Sequence, residues 1–162
     1  MFELYQFKII VEVKPHKFDK DENEIVISDI NHRFVDKVLF DVGLFISIFN
    51  IDKHSKAFVL PGKGSYFSEI YFTAVIFRPF LGQIIDGTVK TIDQSCIQIS
   101  VKFFDDIYIY PCNFPDPCNY DSSRNVWIWV YQTDLKQDHL LYISEGDKIR
   151  FRVLKLQFKD WK

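Results

Sequence analysis

Stretch after stretch of this 162-residue sequence places apolar side chains at every second position. A period of two restricts those stretches to strands that bury one face. From Glu3 to Val13 the apolar positions are Tyr5, Phe7, Ile9, Val11 and Val13, and Pro15 ends the run. From Tyr66 to Pro79 the same period returns in Tyr66, Ser68, Ile70, Phe72 and Ala74. A single segment changes period. Between about Asn23 and Leu39, Val26, Ile30, Phe34 and Val38 recur every four residues, with Asp29, Asn31, Arg33 and Asp36 between them. That spacing predicts one amphipathic helix, with Asp21 or Asn23 at its N-cap. Composition agrees. The chain has 17 Phe and 8 Tyr but only two alanines, Ala57 and Ala74, so side chains that suit a pleated surface abound and the best helix former is nearly missing.

The first half therefore reads as strand, helix, then antiparallel strands. Val42 to Ile51 is nearly all apolar and is expected to be a central strand covered on both faces. A polar turn over 52–56, a short strand over 56–60 and the glycine-rich turn Pro61 to Gly64 lead into the long strand that starts at Tyr66. A second module begins near Leu81. Strands are predicted over 81–92, 95–103, 106–110, 126–132 and 147–158, with 111–125 as a surface loop holding Cys112, Cys118 and three prolines. Five short strands with a long insertion before the fourth predict a Greek-key barrel of the OB type. In the last strand Ile149, Phe151 and Val153 are odd while Leu154, Leu156 and Phe158 are even, which predicts a β-bulge near Val153 and Leu154. The expected class is α+β: an antiparallel sheet with one helix over residues 1–80, then a five-stranded barrel over 81–162.

Lys and Arg number 20 against 22 Asp and Glu, a net charge of −2, so no global basic field drives nucleic-acid binding; a local patch would have to do so. No apolar run approaches the roughly 20 residues of a membrane span, and the start lacks the basic and apolar blocks of a signal peptide. Three cysteines without a C-x-x-C pair suit a reducing compartment, so a soluble intracellular protein is expected. His16, His32, His54 and His139 are scattered and match no zinc spacing. The Pro61-Gly62-Lys63-Gly64 turn lacks the frame of a phosphate-binding loop, and neither G-x-G-x-x-G nor G-x-S-x-G occurs. Asp105-Asp106 resembles an acid/base dyad only in isolation, at the start of a strand where exposed carboxylates are common. No enzyme chemistry, metal or cofactor is expected.

The second module's surface says more. In the strand over 126–132, Trp127, Trp129 and Tyr131 alternate with Val126, Ile128 and Val130. In the last strand Lys148, Arg150 and Arg152 lie opposite the apolar set, with Lys155 and Lys159 further on, and Lys90 and Lys102 sit on the polar faces of the first two strands. Aromatic rings beside cations are how OB barrels hold single strands: bases stack and phosphates pair. Packing against another domain or subunit asks for the same rings, so the residues alone leave both uses open.

Six strings, in order, carry a resemblance over nearly the whole chain: VGLFISIFNI at Val42, FVLPGKG at Phe58, FRPFLGQIIDGTV at Phe77, FFDDI at Phe103, VWIWVYQ at Val126 and EGDKIRFRV at Glu145. The chain resembles the larger stalk subunits of eukaryotic RNA polymerase III. It is more distantly similar to the seventh-largest subunit of RNA polymerase II and to the archaeal RNA polymerase counterpart of both. FFDDI, VWIW and IRFRV resemble the polymerase III branch in particular. Arg78-Pro79-Phe80 stands where that branch is expected to have His-Pro-Phe, as the polymerase II branch does. The chain also stops just after its last predicted strand, without the variable polar tail expected of its relatives.

The resemblance implies a non-catalytic nuclear subunit whose N-terminal tip domain docks on the polymerase III core. A smaller stalk subunit is expected to pack alongside as a heterodimer. The C-terminal S1-like OB domain is expected to meet nascent single-stranded RNA, and the stalk to contribute to initiation. The expected RNA contacts are Lys90, Lys102, Arg150, Arg152 and Lys155 for phosphates, and Trp127, Trp129 and Tyr131 for bases or a neighbour. Phe58, Pro61, Gly62 and Gly64 are expected at the core-docking turn. The equivalent polymerase II subunit and a free-standing S1-type RNA-binding factor are the alternatives.

Overall fold

A computed structural model describes residues 1–132 and 138–158; Lys159 lies outside the described residues. The described residues divide into two compact units, Met1–Phe80 joined by residues 155–158, and Leu81–Leu154.

The first unit is a five-stranded antiparallel sheet with one helix. Its strands are β1 (Phe2–Val13), β2 (Val38–Leu39), β3 (Gly43–His54), β4 (Phe58–Val59) and β5 (Tyr66–Phe77), and α1 spans Glu22–Phe34. The order is β1-β5-β3-β2, with β4 also on β5. β1 and β5 pair in unbroken register from Phe2 opposite Phe77 to Val13 opposite Tyr66. The period of two in each strand therefore points one set of side chains from both into a common layer, where Val11, Val13, Ile70, Phe72, Ala74 and Ile76 are buried. Ile25, Val26 and Ile30 of α1 close over that layer, and each such side chain contributes about 1.5–3 kcal/mol on burial.

Three expectations change here. The helix stops at Phe34 rather than running to Leu39: Val35 is extended and Asp36 adopts a φ of 61°. Val38 is thereby released from the apolar stripe to pair with Leu44 on β3. The central, covered strand is β5, not the segment from Val42 to Ile51. β3 is buried only over Gly43–Phe45, then alternates outward, leaving Phe49 66% exposed. An all-apolar run does not by itself place a strand in the middle of a sheet. Finally, residues 155–158 belong with the first unit; there Phe158 sets its ring edge-on to Phe40 at 6.0 Å.

Arg78 ties this unit together. Its guanidinium donates to the Tyr5 hydroxyl at 3.0 Å and the Asp41 carbonyl at 2.9 Å, and its backbone N–H donates to the Met1 carbonyl at 2.8 Å. The junction arginine thus holds the start of β1 and the turn before β3.

The second unit holds two sheets. β6 (Ile84–Ile92), β7 (Ile97–Val101), β8 (Phe104–Ile109) and β12 (Lys148–Arg152) form one, in the order β12-β6-β7-β8. β9 (Cys118–Asp121), β10 (Val126–Gln132) and β11 (Asp138–Ile143) form the other, in the order β11-β10-β9. The segment expected to be a loop therefore supplies β9, and β11 arises where no strand is predicted. These two flank β10, so β10 pairs with them instead of joining the sheet of β6 and β12. The core between them is Val89, Ile92, Ile97, Ile99 and Trp127, with Ile107, Ile149 and Phe151 packed against it.

No bulge occurs at Val153. β12 pairs with β6 without a register shift and ends at Arg152. The change of phase marks the chain leaving the sheet, after Val153 exchanges backbone bonds with Gly82 and Gln83 at 2.7 and 2.8 Å. This sheet is irregular elsewhere: the register shifts between Val89 and Thr91 on β6, which places Lys90 at the step, and between Ile99 and Val101 on β7. β6 approaches β7 closely at Gly87: a Cβ there would sit 2.5 Å from Ile99 Cγ2 and 3.1 Å from the Ser100 carbonyl.

Candidate nucleic-acid interface

Alternation on β12 puts Ile149 and Phe151 against the core and Lys148, Arg150 and Arg152 outward, where all three are exposed. Side chains two residues apart on a strand stand about 6.6 Å apart on one face, so the three cations form an evenly spaced row. Across the ladder lie Thr88 opposite Lys148, Asp86 opposite Arg150 and Ile84 opposite Arg152.

Two cations on this side of the unit are already paired. Arg150 Nε and Nη2 donate to the two oxygens of Asp86 at 2.7 and 3.3 Å, a forked pair with 73% and 67% of the side chains exposed. Hydrogen bonding to Arg150 holds the Asp86 carboxyl below its ordinary pKa and raises that of the guanidinium. Lys90 Nζ donates to Asp105 Oδ2 at 2.6 Å, and Ser100 Oγ donates to Asp105 Oδ1 at 2.5 Å. The Lys90 bond, then the Ser100 bond, lower the Asp105 pKa; Asp105 in turn raises that of Lys90. Asp105 thus stands as a counter-ion near the start of β8, paired with Lys90 as an ordinary surface carboxylate. Lys148 and Arg152 enter no ion pair among the described residues. Lys102 sits exposed, with a φ of 53°, in the tight turn from β7 to β8.

The rings divide. Trp127 is 5% exposed and belongs to the core, packed between the tilted rings of Phe114 at 4.8 Å and Tyr120 at 5.3 Å, so it presents no face for a base. Its face of β10 emerges along the strand: Trp129 is half-buried and Tyr131 is 46% exposed, their rings edge-on at 5.6 Å. β12 turns its cations away from the core that Trp127 occupies, so Trp127 and the basic row lie on opposite sides of that strand. Lys155 falls with the first unit. One ring-bearing basic ridge is therefore not what the fold assembles; it gives a basic row on β12 and, on another sheet, an emerging pair of aromatics.

In the first unit, Phe58 stacks on Phe67 at 5.8 Å and 23°, and Lys63 Nζ lies 5.5 Å from the centre of the Phe67 ring. Phe58, Val59 and Leu60 are exposed beside Pro61, Gly62 and Gly64, with Gly62 at a φ of 82° that favours glycine. What sequence reading misses is the counter-charge at Asp86 and Asp105, and the exposed Leu140, Leu141 and Tyr142 of β11. A pairing across 64 residues leaves no local signal in the sequence.

Comparison with known proteins gives the family. The model described as RNA polymerase III subunit Rpc25 matches residues 83–162, and the SHS2 domain found in the N terminus of Rpb7p/Rpc25p/MJ0397 matches residues 8–64. The chain is 35% identical to the DNA-directed RNA polymerase III subunit RPC8 of Bos taurus over 160 residues, 99% of this chain and 78% of the relative. It is 32% identical to the RPC8 subunit of Saccharomyces cerevisiae over 163 residues, all of this chain and 75% of that one. It is 25% identical over 154 residues to the archaeal RNA polymerase subunit Rpo7 of Saccharolobus solfataricus, 95% of this chain and 82% of that one. With an α+β architecture of antiparallel sheets and one helix, the chain belongs to the Rpc25/RPC8 family of RNA polymerase III subunits, non-catalytic members of a DNA-directed RNA polymerase.

Proposed function

We propose that this chain works in the nucleus as the larger stalk subunit of RNA polymerase III, joining a smaller stalk subunit and contacting nascent single-stranded RNA during initiation. The first unit, residues 1–80, docks on the polymerase core through the exposed turn at Phe58, Pro61, Gly62 and Gly64. The second is an S1-like OB domain whose wall is β12-β6-β7-β8, with β9-β10-β11 as an added sheet. The observation that carries the RNA reading is the outward row Lys148, Arg150 and Arg152 on β12, opposite the core-facing Ile149 and Phe151. Evenly spaced cations on an exposed strand pair with successive phosphates and read no sequence, which suits a transcript of any composition. Lys90 and Lys102 extend the contact from β6 and the β7–β8 turn. Trp129 and Tyr131 serve a base or the smaller subunit.

The double change Arg150→Ala and Arg152→Ala tests this. Single-stranded RNA affinity should fall and its dependence on salt should flatten as phosphate contacts are lost, with the circular dichroism unchanged. Unaltered RNA affinity together with loss of a co-purifying subunit would assign the row to a protein contact instead. Affinity purification of the full chain, followed by mass spectrometry, should recover the polymerase III core and one small partner.

A further inference from the structure

The forked pair between Asp86 and Arg150 occupies the middle of the basic row, and this has a consequence for affinity. Lys148 and Arg152 stand at either end of the row without an ion pair among the described residues, while Arg150 meets a carboxylate fixed opposite it by strand register. Asp105 stands in the same relation to Lys90. Neither carboxylate is buried, so neither is required by the core; both lie where a polyanion would approach.

The geometry points to Asp86 as an affinity-setting residue: it neutralises Arg150 in the free protein, so an RNA phosphate must displace a carboxylate before it gains that guanidinium. This rests on the RNA reading above. The physics is competitive. An exposed ion pair is weak, so a phosphate can replace Asp86, but the replacement exchanges one Arg–anion contact for another and leaves an uncompensated carboxylate beside the RNA backbone. The net gain at the centre of the row is small, and the two ends supply most of the attraction. A face arranged in this way holds a passing strand weakly and releases it, which suits contact with a moving transcript.

The test uses the full chain and single-stranded oligouridylate as the probe, with affinity measured across a salt series. Asp86→Asn keeps the shape and removes the charge. Affinity should rise about two- to fivefold at low salt, the range that exposed ion pairs are worth, and the salt slope should steepen by about 0.7 as one more cation becomes available. In an Arg150→Ala background the same change should leave the salt slope unchanged and give a smaller gain, the relief of direct repulsion between the carboxylate and the phosphates. A gain and a steepening as large without Arg150 as with it overturn the inference, because Asp86 would then act on the RNA alone and not through the guanidinium. No gain from Asp86→Asn, while Lys148→Ala with Arg152→Ala still weakens binding, also overturns it and leaves the RNA row standing. If that Lys148 and Arg152 double variant binds RNA as the wild type does, the row itself is not the RNA surface and the role of Asp86 falls with it.

Discussion

Trp127 donates its indole N–H to the carbonyl oxygen of Asp93 across 3.2 Å, joining the start of β10 to the turn between β6 and β7. The bond gives a buried indole the partner it needs and fastens the three-stranded sheet of the second unit to the four-stranded one. A residue whose ring looks like a platform for a base is thereby a structural anchor.

Trp127→Ala should destabilise the second unit by about 3–5 kcal/mol, the cost of emptying a large aromatic site in a packed core. Trp129→Ala, on the part of the same face that emerges from the core, should cost much less. Urea unfolding followed by far-UV circular dichroism separates the two. Similar losses at both positions would mean that Trp129 is also packed in solution.

Gly43 begins β3 with a φ of 139°, and a Cβ there would meet the Phe77 carbonyl at 2.6 Å and Ile76 Cγ2 at 2.8 Å. The close approach is to backbone, which cannot swing aside as a flexible side chain does. Gly43→Ala should lower the stability of the first unit by at least about 1–3 kcal/mol. Gly62→Ala, where the site is open but φ is positive, should cost only about 1 kcal/mol, the left-handed conformation alone. Thermal unfolding of the two variants side by side checks the order.

Acid should reveal the Lys90–Asp105 pair. Lys90 and then Ser100 hold the Asp105 carboxyl below its ordinary range. A pKa depressed by folding contributes stability that is complete above the unfolded value of about 3.9 and fades as pH falls through the lower folded value. The melting temperature of the wild type should therefore drop more steeply below about pH 4 than that of Asp105→Asn, which starts lower at neutral pH and has less to lose. Parallel curves for the two proteins would show that the pair contributes nothing in solution.

The cysteines of the second unit should react in a fixed order. Burial, reinforced by the nearby Asp116 charge, pushes the Cys118 thiol up, while Cys112 is exposed. Because the thiolate is the nucleophile, iodoacetamide at about pH 7.5 should label Cys112 well before Cys118, and denaturant should erase the difference. Peptide mapping by mass spectrometry over a time course measures it; faster labelling at Cys118 would contradict the burial.

Periodicity determined several of the strands and which side of each is apolar, though not β9 or β11: β1 and β5 lie within a residue or two of where the alternation puts them, and Val26 and Ile30 face inward as the four-residue spacing requires. The outward face of Lys148, Arg150 and Arg152 was equally legible, because a strand that buries Ile149 and Phe151 must expose their neighbours. Pairing was not legible. That β10 lies between β9 and β11, that β5 rather than β3 is central, and that Arg150 meets Asp86 were decided only when distant segments packed. The period of a strand is a property of its own backbone, whereas its neighbour is chosen by competition among all the edges of the folded chain. That choice also decided which cations carry a counter-ion and which ring became core.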